Sequence, residues 1–207
     1  MCKFASNTLN YIMTQNKIVT YGELMLRFSK ADHMRLSQGG TFTSLYGGSE
    51  ANVAVSLATQ GDYVEYVTRL PDTPVGLAGT MRLQELGVDC RHVLFGGQRV
   101  GTYYLEPAAG MRSARVVYDR AHSAFSELQP GMLPWHDILK GATVLHVSGI
   151  AAAVSSGAAD ATFEALDVAD ELGVQVSFDI NYRKNLWRYP GADPRATIGR
   201  MRSAVGL

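Results

Sequence analysis

Short apolar runs alternate along this chain with stretches whose apolar positions recur every three or four residues, the signature of strands exchanging with amphipathic helices. Residues 17–28 (KIVTYGELMLRF) open with an apolar run, break at Gly22 and continue extended. Residues 41–48 (TFTSLYGG) are rich in β-formers and end on two glycines. A helix follows over 49–61, with Ser49 as its cap, a stripe of Val53, Ala54, Leu57 and Ala58, and Gly61 as its stop. Residues 63–70 read as a strand. Residues 73–87 read as a helix with Pro74 in its first turn and Gly87 at its end. Further on, 143–150 is a buried strand, 155–173 a long helix stopped by Gly173, 174–183 a strand, and 193–205 a helix opened by Asp193 and Pro194.

Two regions break the alternation. Residues 99–107 (RVGTYYLEP) and 114–120 (ARVVYDR) are strand-like, are joined by AAGMRS, and have no helix between them. They form a hairpin with a long loop, and their apolar and polar positions alternate as in a sheet with one wet face. With the extended segments of 24–47 they make a small sheet, or lid, beside a main parallel sheet covered by helices on both faces. The expected fold class is therefore α/β, three-layered, with a mostly parallel central sheet plus a small β lid. Residues 17–207 form one such domain, and 1–16 a leader, frayed at its end, with Met13 as an alternative to Met1 as the start.

Hydrophobic residues make up 46% of the chain, enough for a sizeable core. Nineteen basic residues balance nineteen acidic ones, which argues against nucleic-acid binding by bulk charge but leaves room for a local basic site. Cys2 and Cys90 form no metal-type pair, and no metal site is expected; with no apolar run long enough to span a bilayer, a cytoplasmic protein without membrane contact is the expectation.

Candidate chemistry concentrates in three places. In YGGSEANVA (46–54) the glycines allow a ligand close to the main chain at a helix start, and Glu50 and Asn52 in the first turn can reach hydroxyls; equally, the glycines make a tight turn capped by Ser49. On the lid, Tyr103, Tyr118 and Arg120 suit a wet face over a small anionic, hydroxylated ligand, or an ordinary solvated strand. At DINYRKNLW (179–187), Asp179, Asn181 and Arg183 share one face if the strand persists, at the end of the sheet where α/β ligands bind. An Asx turn with Arg183 paired to Asp179 is the alternative. His146 and Ser148 do not make a hydrolase set with Asp179: Ser148 lacks the Gly-x-Ser-x-Gly turn, and His146 reads as a satisfied core histidine.

Taken together, YGGSEANVAVSLATQG, VVYDR and DINYRKNLW resemble the ribokinase-like (PfkB) sugar kinases, and within them the 2-keto-3-deoxygluconate kinase branch, from Lys17 to Leu207. Glu50 stands where the wider family prefers a small residue, as is typical of that branch, and Pro71 stands where it prefers glycine. The resemblance implies transfer of the ATP γ-phosphoryl, with Mg2+, to the C6 hydroxyl of 2-keto-3-deoxygluconate. It implies that Gly48, Ser49, Glu50, Ala51 and Asn52 hold the sugar, and that Tyr103 (with Tyr104 as its rival) and Tyr118 close over it. Arg120 and Arg183 would bind the carboxylate, and Asp179, Asn181 and Arg183 would lie near the nucleotide. The family's second signature, Asp-Thr-x-Gly-Ala-Gly-Asp, is not in these 207 residues. The chain is thus expected to be the N-terminal part of a kinase, its base beyond Leu207, inactive alone, with a lid able to pair between subunits. Fructokinase, ribokinase or a non-catalytic sugar-acid-binding module are the alternative functions.

Overall fold

The computed structural model describes residues 16–205; the expected leader and its start lie outside them, apart from Asn16. The chain runs through β1 (Lys17–Tyr21), β2 (Met25–Ser29), β3 (Thr43–Gly47), α1 (Ser49–Gln60), β4 (Tyr63–Leu70), α2 (Pro74–Glu85), β5 (Val93–Phe95), β6 (Gly101–Glu106) and β7 (Arg115–Asp119). A 3-10 turn at Phe125–Glu127 leads to α3 (Trp135–Leu139), β8 (Ala142–Ser148), α4 (Gly149–Ala153), α5 (Ser156–Glu171), β9 (Gln175–Asp179) and α6 (Pro194–Ser203).

Five strands pair in the order β5-β4-β1-β8-β9, every pair parallel. Period-two alternation sends successive residues of each strand to opposite layers. In β4, Val64, Tyr66 and Leu70 join the cluster under α1 and α2, while Val67 joins the cluster beneath α3, α4 and α5. On that second face Val19 and Tyr21 of β1 and Leu145 and Val147 of β8 meet a run of small residues on α5, among them Ala158, Ala161, Ala165 and Ala169. Alanines let the helix lie close to the sheet, and the larger volume comes from Trp135, whose ring meets Tyr21 edge-on at 5.0 Å between centroids. The expected three-layer α/β fold is the observed one.

The remaining four strands form the separate lid sheet, ordered β3-β2-β6-β7. Its outer pairs are antiparallel and the central pair, β2 with β6, is parallel. Three boundaries beside the cleft differ from the sequence reading. The strand expected to end at Ile150 stops at Ser148, whose hydroxyl accepts the Ile150 N–H and starts α4. Helix α1 is not capped by Ser49: Gly48 occupies the cap with extended backbone and no side chain to contribute. The strand expected to run to Arg183 stops at Asp179. Gly61, Gly87 and Gly173 do sit with positive φ at the ends of α1, α2 and α5, as expected.

Candidate functional site

The carboxyl end of β1 delivers Glu23 into the angle between the two sheets. Its neighbours explain the local glycines. A Cβ at Gly48 would overlap the Glu23 carbonyl oxygen, one at Gly101 would overlap the Glu23 carboxylate, and one at Gly22 would overlap the carboxylate of Glu50. Gly47 is under no such pressure, its nearest foreign atom being Asn52 Oδ1 at 3.5 Å. Of the twin glycines, Gly48 is therefore the one that packing requires.

Around this angle lies a cleft of about 390 Å³. Its floor holds Glu23, Gly48, Ser49, Glu50 and Asn52; its roof, from the lid, holds Met25, Tyr103, Val116, Tyr118 and Arg120. Its far wall is Ile150 with Asn181, Arg183, Lys184, Asn185 and Leu186. Tyr103 and Tyr118 are paired across β6 and β7, with rings 5.7 Å apart. Tyr104 points the other way and stacks on Phe28, so the lid tyrosine at the cleft is Tyr103.

Ala51 is not brought to this cleft: it is buried in the core and borders a second hollow of about 750 Å³ on the other side of Tyr103, between the lid and α1 and α2. Glu50 reaches the floor, but its carboxyl is turned inward, 1% exposed, where it accepts a hydrogen bond from the Ser49 hydroxyl at 2.8 Å. Burial pushes its pKa up; the hydroxyls of Ser148 and Ser49 and the charge of Arg120 offset part of that rise.

Arg120 carries the largest change from the sequence reading. Just past the end of β7, it is buried and ion-paired with Glu23. Its guanidinium carbon also lies 5.9 Å from the Tyr118 ring centroid, close enough for a cation–π contact.

Asp179, Asn181 and Arg183 do not share a strand face. Asp179 Oδ1 accepts the Asn181 N–H at 3.0 Å, an Asx turn, and Asn181 takes a left-handed φ of 37°. Asn181 and Arg183 then swing to the cleft while Asp179 stays outside its lining. Arg183 donates to the Tyr182 carbonyl rather than to Asp179, and neither it nor Lys184 has an acidic partner among the described residues. His146 is half-buried and paired with Ser177 Oγ at 3.0 Å; burial lowers its pKa. It is partnered, as expected, but half-buried on the sheet rather than in the core.

Glu23, Lys184 and Asn185 line the cleft without having been singled out in the sequence. Glu23 could have been noticed as a lone carboxylate inside the apolar YGELML. Lys184 and Asn185 carry no periodic signal, because they lie in a turn.

The arrangement offers backbone and hydroxyl groups below, two aromatic rings above and unneutralised cations at one wall. Such a cleft suits a small polyhydroxylated anion. Residues 15–200 match the pfkB family carbohydrate kinases. The chain is 34% identical over 171 residues to the 2-dehydro-3-deoxygalactonokinase of Haloferax volcanii, covering 83% of this chain and 54% of that protein. It is 31% identical to the 2-dehydro-3-deoxygluconokinase of Bacillus subtilis, covering 82% and 52%. The crystal structure of the 2-dehydro-3-deoxygluconokinase from Thermotoga maritima superposes with a TM-score of 0.81 at 46% identity, covering 83% of this chain and 53% of that one. A sugar kinase of Pyrococcus horikoshii solved with ATP, at 18% identity and a TM-score of 0.80, shares the fold. The chain spans about half the length of the curated relatives it matches.

Proposed function

The chain belongs to the pfkB family of carbohydrate kinases, and from that premise we propose that it forms the sugar-binding half of a kinase for a six-carbon keto-deoxy sugar acid such as 2-keto-3-deoxygluconate. The observation that carries this reading is the placement of Arg183 and Lys184 on the same cleft as Arg120, beside Gly48 and beneath Tyr103 and Tyr118. A neutral sugar gives the two free cations nothing to neutralise, whereas a carboxylate accepts charge-assisted hydrogen bonds from them.

In the proposed reaction the C6 hydroxyl oxygen attacks the γ-phosphorus of ATP. The bond to the β–γ bridging oxygen breaks, ADP leaves, and the hydroxyl proton passes to a base. This chain's residues orient the sugar. Gly48 admits it close to the main chain, Asn52 offers an amide to its hydroxyls, and the tyrosines close the roof against water, which otherwise competes as phosphoryl acceptor. Asn181 and Arg183, at the carboxyl end of the sheet, would approach the phosphates, with the exposed Asp179 nearby. The described residues form no cluster of three metal-type ligands. A single exposed carboxylate at Asp179 fits a magnesium ion that comes with the ATP phosphates and keeps most of its waters. Bound there, magnesium would neutralise charge on the transferring group.

Calorimetric titration of the chain with 2-keto-3-deoxygluconate, fructose and ribose tests the substrate class. The acid is expected to bind at least about tenfold more tightly than either neutral sugar, and Arg183→Ala to remove most of that preference. Equal binding of acid and neutral sugars would overturn the acid reading in favour of a fructokinase-like or ribokinase-like specificity.

A further inference from the structure

The cleft contains an ion pair that a simple two-arginine carboxylate clamp does not call for. Glu23 and Arg120 are 97 residues apart in sequence, and their side chains are 2% and 8% exposed. One joins the main sheet to the lid, and the other stands at the end of the lid's last strand. The site of Glu23 is shaped closely, since Gly48 and Gly101 both lack the atom that would collide with it. The pair is also incomplete. Glu23 Oε1 and Arg120 Nε are buried and have no hydrogen-bond partner among the described residues, while both residues line the cleft.

A buried guanidinium with a carboxylate against it attracts a further anion far less than a free one does, because the two fields largely cancel at the distance of a ligand. Arg183 and Lys184 have no such partner. Arg120 and Arg183 are thus unequal: one keeps its directional N–H groups but has its charge cancelled, and the other keeps its charge.

We propose that Glu23 is a positioning residue that holds Arg120 against the cleft as a charge-neutral hydrogen-bond donor, leaving discrimination between acid and neutral sugars to Arg183 and Lys184. The idea rests on the sugar-kinase reading above and deepens it, by assigning orientation to one guanidinium and acid selectivity to the other.

The test is the ratio of affinities for 2-keto-3-deoxygluconate and a neutral probe, 2-deoxyglucose, measured by calorimetry on the full chain. In Glu23→Gln the charge of Arg120 is no longer cancelled. The neutral probe is expected to bind more weakly, because Arg120 loses its anchor, while the acid-to-neutral ratio rises about fivefold or more and becomes steeper in salt. Glu23→Asp keeps the charge and shortens the arm, so both probes weaken and the ratio stays. The double variant Glu23→Gln/Arg120→Met is expected to return the ratio to that of the wild type. A merely structural role for Glu23 would lower thermal stability and leave the ratio of the folded protein unmoved, and that result overturns the proposal. Without any ligand, protection of the Arg120 Nη–H resonances from exchange in a 15N-arginine NMR spectrum is expected in the wild type and in Glu23→Asp, since the bond to Glu23 runs through Nη2. Its loss is expected in Glu23→Gln; equal protection in all three overturns the positioning role even if Glu23→Gln binds too weakly to titrate. Failure of the substrate reading looks different: the wild type then shows no acid preference, while the NMR arm still reports on the ion pair.

Discussion

The two sheets of this protein follow opposite rules. In the five-stranded sheet β1 and β4 are covered on both faces and β8 on its α5 face, and these three strands contribute residues with no exposed surface at all, such as Val19, Val64, Val67 and Leu145. In the lid, by contrast, β7 is exposed at every position and β3 at most of them. The main sheet is held by burial of apolar area, which is non-directional and large. The lid is held by backbone pairing, a few aromatic contacts such as Phe28 on Tyr104, and a buried ion pair that ties the end of its last strand to the main sheet. The lesson is a division of labour: the sheet with the larger stake in stability contributes strand ends to the site, and the sheet with the smaller stake contributes the roof.

That contrast can be broken most forcefully at Trp135, which is 2% exposed in the core behind β1. Trp135→Ala is expected to cost about 3–5 kcal/mol in urea unfolding, whereas Val117→Ala on the lid should cost roughly 0.5 kcal/mol or less. Comparable costs would mean that the lid carries far more of the stability than its exposure implies. Next in size is Gly48→Ala, where the new methyl meets a backbone oxygen of Glu23 rather than a movable side chain. About 1–3 kcal/mol of destabilisation is expected, together with weaker sugar binding, while Gly47→Ala should be much milder.

The smallest effect concerns pH. Burial holds the Glu50 carboxyl above its usual range, so the stability it contributes is full below that range and is lost as pH rises through the raised value. Glu50→Gln cannot ionise. It should therefore gain on the wild type as pH is raised from acid to neutral, and a constant difference across that range would show that burial of the charge is not what the fold opposes there.

How much of this was legible beforehand follows the same division. Strand and helix alternation exposed four strands of the main sheet, because buried strands and helices with glycine stops leave strong local patterns; the edge strand β5, three residues long, was too short to leave one. The lid was legible as a helix-free interruption. Which of two adjacent tyrosines faces the site was not, since alternation separates Tyr103 from Tyr104 but does not say which side the ligand takes. The reading of Asp179, Asn181 and Arg183 as one face assumed an extended chain. Asn181 broke it, as asparagine is among the residues that tolerate a left-handed backbone. Arg120 does line the cleft, yet whether its guanidinium stands free or paired depended on Glu23, a partner that no local pattern announces.

The join between the two sheets has its own consequence. Strand β1 passes into β2 through only Gly22, Glu23 and Leu24, all three buried. So short and so firmly clamped a tether gives β2 almost no slack with which to slide or peel. A roof strand tethered so tightly keeps its distance from the floor, so the height of the cleft is set where the two sheets join rather than at the exposed outer strands of the lid.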